Sequence, residues 1–73
     1  MCKKEELEIV LKYLRGRIDE LNRQVLFISD IEDERELTER EENTLSILID
    51  EMMTYRHVAT TVDREIAILK SRE

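Results

Sequence analysis

Two runs of apolar side chains recur at alternating spacings of three and four residues, and their phases do not join. The first is Leu7, Leu11, Leu14, Ile18, Leu21, Val25 and Ile28. The second is Leu45, Leu48, Met52, Tyr55, Ala59, Val62, Ile66 and Leu69. This spacing is the a/d seam of a heptad repeat, the stripe along which one helix covers another. If the chain were one continuous helix, a d position at Ile28 would be followed by a positions a whole number of heptads plus four residues further on. Leu45 falls one residue short of that phase. Extending the first seam also places Glu32, Arg35, Glu39 and Glu42 on the stripe, and a stripe of charges buries nothing.

The seam therefore breaks, and the chain is expected to fold back. Helix 1 is predicted over residues 3–28, a charged connector over 29–38 and helix 2 over 39–70. Together they make a single helical-hairpin domain over residues 1–73. Ser29, Asp30 and Asp33 offer side chains that turn or cap locally. Thr38 and Glu41 have the spacing of a capping box at the start of helix 2. At 1.5 Å per residue helix 1 spans roughly 36–39 Å and helix 2 roughly 47 Å. On these lengths Ile66 and Leu69 overhang the start of helix 1. The fold class is all-α: an antiparallel, coiled-coil-like two-helix hairpin.

Composition agrees with long helices. There is no proline and one glycine, Gly16, and 41% of residues are charged. Gly16 lies on the outer face of helix 1, where it costs roughly 1 kcal/mol against alanine. Cys2 is the only cysteine, so no internal disulfide is available, and a single thiol fits a reducing compartment. The opening Met1-Cys2-Lys3-Lys4-Glu5-Glu6 carries no apolar run after its lysines, unlike a secretory signal. No stretch approaches the ~20 apolar residues of a membrane span. A cytoplasmic protein is expected.

The charge of −6 is concentrated in the middle: residues 29–44 carry two bases against eight acids. Such a block repels phosphates, which weighs against nucleic acid. On helix 1 Lys4, Lys12, Arg15, Arg17 and Arg23 alternate with Glu8, Asp19 and Glu20, as on a solvated, salt-bridged face. An RNA-binding hairpin dimer stays as a minor alternative, with Tyr13 and Phe27 available for stacking.

Chemistry finds little support. His57 is the only histidine and falls on the outer face of helix 2. Thr54 stands where a Glu-x-x-His metal motif needs its carboxylate. The acidic run Asp30–Glu36 lacks the glycine and spacing of a calcium loop. No catalytic residue, cofactor, metal or small-molecule substrate is expected.

Apolar residues exceed what one seam uses. On helix 1 Ile9, Tyr13, Gly16 and Phe27 form a thinner outer line. On helix 2 Ile49 and Met53 widen one flank, Val58 the other, and Ile47 and Ile68 lie outside. Two helices in one layer leave each other half-exposed, so a second layer is expected, most simply a homodimer closing a four-helix bundle. The expected function is a non-enzymatic protein–protein interaction module, an adaptor, inhibitor or assembly subunit. Leu48, Ile49, Met52, Met53 and Tyr55 are its candidate partner-binding anchors, with methionine adaptable at such surfaces. Those same five also suit the interior of a homodimer, the simpler reading. The seam phase assigns Leu48 and Met52 to helix 1 and leaves Ile49 and Met53 over.

The run Ser46-Ile47-Leu48-Ile49-Asp50, followed by Met52, Met53 and Tyr55, resembles the Ser-Gln-Glu-Leu-Asp motif of the small aspartyl-phosphate phosphatases of sporulating bacteria. Those are short helical hairpins acting on a response regulator. Ser46 and Asp50 match, and Ile49 stands for leucine. Ile47 and Leu48 replace the polar pair, the tyrosine is displaced by one, and both helices are longer than the family needs. The resemblance covers about ten residues and implies, as an alternative, a phosphatase-like regulator acting through Asp50.

Overall fold

The computed structural model describes residues 2–72, which form two helices and no strand. Helix α1 spans Lys3–Glu34 and helix α2 spans Glu39–Ser71. They pack antiparallel along their whole length as a rod with Cα extents of 54 × 16 × 14 Å. None of the described helices is long and apolar enough to cross a membrane.

Both seams point inward. Leu11, Leu14, Leu21, Leu48, Met52 and Ile66 are buried, and every other rung is half-buried; none of the fifteen is exposed. The tightest packing is near mid-rod, where Leu21 (2% exposed) meets Leu48 and Met52. Ile18, Val25, Ile28 and Tyr55 close around them. No polar side-chain atom among the described residues is buried without a partner. The seam is therefore an apolar strip held by area and shape.

Helix α1 ends later than the sequence suggested. It passes Ile28 and runs to Glu34, so the connector expected over 29–38 shrinks to Arg35–Thr38. Ser29, Asp30 and Asp33 do not stop it, because no glycine or proline obliges the chain to leave the helix there. Ile31, half-buried, extends the apolar contact one further turn. The last turn of α1 holds no base, while Glu32, Asp33 and Glu34 gather at the negative end of the helix dipole. The helix closes when Arg35 turns extended and its N–H donates to the Ile31 carbonyl at 3.0 Å.

The longer α1 also removes the expected overhang. The helices have 32 and 33 residues, Ile66 is 4% exposed and Leu69 is half-buried.

The turn is secured by side chains, with no positive-φ residue. The capping box at Thr38 is formed: the Glu41 N–H donates to Thr38 Oγ1 at 3.2 Å, and the Thr38 N–H donates to Glu41 Oε1 at 2.9 Å. Arg35 reaches across the connector and forks onto the Glu41 carboxylate with two bonds of 2.8 Å. The Arg35 fork and, after it, the Thr38 N–H hold the Glu41 carboxyl far down, at about 2. One carboxylate thus ties the end of α1 to the start of α2.

Candidate interaction surface

In an antiparallel pair the g flanks of the two helices share one side of the rod and the e flanks share the other. Two ion pairs identify the sides here. Lys3 Nζ meets Glu65 Oε1 at 3.8 Å, both at g positions; Arg15 meets Asp63 at 4.0 Å, both at e positions. The c positions lie beside g, and the b positions beside e.

This frame sorts the exposed large apolar residues. Val10, Tyr13 and Phe27 of α1, and Ile47, Val58 and Ile68 of α2, all occupy c or g and share one side of the hairpin. Ile9, at f, borders that side. The e/b side holds only Leu26 and Met53 of this set. Most of the excess that looked scattered along the sequence is therefore one face, roughly at right angles to the seam. Phe27 and Tyr13 are its most prominent aromatics, at 69% and 62% exposed.

The polar groups on this side are largely self-satisfied. Thr44, Thr54 and Thr61 each donate their hydroxyl to the carbonyl four residues earlier, at 2.9, 3.0 and 3.2 Å. Covering the face would strand none of these protons, which removes one of the main costs of drying a polar surface. Arg17 donates to Glu20 at 2.8 Å while its guanidinium lies 5.7 Å from the centre of the Tyr55 ring. Contact with Tyr55 first, and with Glu20 second, raises the Arg17 pKa.

Near the turn the same side opens into a groove of about 510 Å³. Phe27, Ile28, Ile31 and Leu48 form its apolar walls, and Arg23 and Arg40 stand at its rim. Among the described residues neither arginine pairs with a carboxylate; Arg23 donates to the Asp19 carbonyl of its own helix at 3.4 Å.

The candidate anchors read from the sequence separate spatially. Leu48 and Met52 are buried between the helices, and Tyr55 is half-buried against them beneath Arg17. Ile49 is half-buried on the e flank, and Met53 is 61% exposed on the adjoining b position. Ile47, which the sequence places outside the seam, is 65% exposed on the c/g side. Val10 and Ile31 belong to neither the seams nor the outer line read from the sequence. Their signal was present in the g positions three residues after Leu7 and Ile28, but it needed the pairing of g with g to acquire meaning.

The residues weighed for chemistry do not converge. His57 is exposed on the outer face. Cys2 is exposed at the start of α1 and makes no side-chain cap. Among the described residues no three histidine, cysteine or acidic side chains are grouped to hold a metal ion. Ser46 and Asp50 line a shallow hollow with Leu37 and Ile49, on the side opposite the apolar face. No family model matches the chain, and no curated protein or solved structure matches it, so its own residues alone carry the functional reading.

Proposed function

We propose that this chain is a non-enzymatic interaction module: one helical layer of a larger assembly, joined to its partner through the c/g side of the hairpin. An adaptor, an inhibitor and an assembly subunit all work this way. The observation that carries the reading is the gathering of six exposed large apolar residues on one side, among threonines whose donors are already used. An exposed patch of this kind marks a contact surface. Six buried side chains among the described residues are also a thin core for a chain of 73 residues, and small scaffolds of this size draw stability from a partner. Closure as a four-helix bundle, two hairpins face to face, covers the patch with the packing geometry long helices favour.

The test is capture of the tagged full chain at native expression level, beside a Phe27→Glu/Ile47→Glu variant that retains its helicity. The expected result is a stoichiometric polypeptide, a second copy or another chain, held by the parent and lost from the variant. A parent chain that runs as a bare 8.8 kDa monomer with nothing bound would overturn the reading. So would Asp50-dependent loss of phosphate from a phosphorylated receiver domain, which would make the protein an enzyme.

A further inference from the structure

We infer that the occupant of the c/g side is a second copy of this chain, lying antiparallel across a two-fold axis that passes beside Glu20. This rests on the interaction reading above and names its partner.

The pattern of α1 carries the argument. Its c positions read Glu6, Tyr13, Glu20, Phe27 and Glu34, and its g positions include Val10, Arg17, Gln24 and Ile31. The stripe is a near-palindrome about Glu20. Tyr13 and Phe27 stand seven residues to either side, Val10 ten residues before and Ile31 eleven after. A two-fold axis at right angles to the rod lays position i of one α1 over the mirrored position of the other. Tyr13 of each copy then meets Phe27 of the other, and Val10 meets Ile31. The turn-end groove of one hairpin receives the open-end cluster of its mate, twice. A stripe whose residue types read alike in both directions is matched by its own reversed copy.

Charge agrees with this register. The two Glu20 carboxylates approach each other at the axis, which alone would repel. Each is already bound by its own Arg17 at 2.8 Å. Arg23, one helical turn further on and unpaired with any carboxylate among the described residues, comes within reach of Glu20 of the second copy. Four guanidiniums then surround two carboxylates. Glu6 and Glu34 meet as like charges only at the exposed ends, where water screens them. Size agrees as well. A side with Cα extents of 54 × 16 Å projects about 860 Å², which leaves room for the ~800 Å² each partner contributes to a stable interface.

The experiment uses the full chain in two steps. Sedimentation of the unaltered protein over a concentration series should show twice the mass of 8.8 kDa. Then, in a Cys2→Ser background, single thiols are placed by Glu20→Cys, Tyr13→Cys and Phe27→Cys, all at exposed positions, with helicity checked for each. Under mild oxidation Glu20→Cys should link to itself. Phe27→Cys alone should stay unlinked, and a mixture with Tyr13→Cys should link. Self-linking of Phe27→Cys with none in the mixture would overturn the register, showing turn ends side by side. A folded monomer at every concentration would overturn the second copy itself. In that case a different chain captured from cells would leave the broader interaction reading standing.

Discussion

Replacing Leu21 with alanine tests whether the mid-rod cluster holds the hairpin. Leu21 is the most enclosed side chain among the described residues, 2% exposed and packed against Leu48 and Met52. Leucine-to-alanine changes in cores cost ~2–5 kcal/mol, the spread reflecting how far the site collapses onto the cavity. Here the two flanks of the seam are open, so neighbours such as Val25 and Tyr55 can move inward. The expected loss is therefore in the lower part of that range, about 2–3 kcal/mol. The assay is urea unfolding followed by helical circular dichroism at one fixed protein concentration, because association would make the midpoint concentration-dependent. With a slope near ~1 kcal/mol per molar, the low end for small proteins, the midpoint should fall by ~2–3 M. Leu26→Ala is the matched control. Leu26 is 53% exposed at a b position, away from both the seam and the c/g face, and its loss should change stability by no more than ~0.5 kcal/mol. Equal effects from the two substitutions would refute the packing argument, because burial of the seam is what separates them.

Other perturbations probe the helix and the turn. Gly16→Ala should stabilise the hairpin by ~1 kcal/mol, since an added Cβ there meets no atom within 4 Å and glycine weakens a helix interior; thermal unfolding would show it as a rise of ~4–8 °C. Thr38→Ala should cost ~1 kcal/mol by removing the acceptor for the Glu41 N–H, read in the same urea assay. The Glu41 carboxyl, at about 2 in the fold against an ordinary 4.5, gives a signed pH dependence. A depressed carboxylate stabilises the fold fully above its unfolded value and loses that contribution as pH falls from about 4.5 towards 2. Melting temperature followed across that window should therefore decline, and Glu41→Gln should flatten the decline.

How far the sequence could be read depended on the range of the interactions involved. Thr38 and Glu41 are three residues apart, and their reciprocal bonds follow from that spacing alone. The end of α1 was harder. Whether the chain leaves a helix at Ser29 or at Arg35 depends on whether Ile31 finds cover, and on Arg35 finding Glu41 across the turn. Neither is visible in a local window, so the connector expected from the sequence is longer than the one that forms. The candidate anchors show the same limit. Methionine and isoleucine at neighbouring positions look alike in sequence, yet Met52 is buried while Met53 is 61% exposed.

The sequence by itself determined that there are two apolar seams, which stripe of each faces the other, and that a hairpin is favoured over one continuous rod. These follow from the heptad period and from the one-residue break in phase between Ile28 and Leu45. Only the tertiary structure decided that most of the remaining apolar residues share one face. Phe27 and Ile47 lie twenty residues apart in the chain, and each on its own helix is a lone exposed side chain. Antiparallel pairing brings g beside g, and with it the outer residues of both helices onto a common side. An apolar side chain gains nothing from exposure alone, and its meaning comes from the neighbours that folding places beside it.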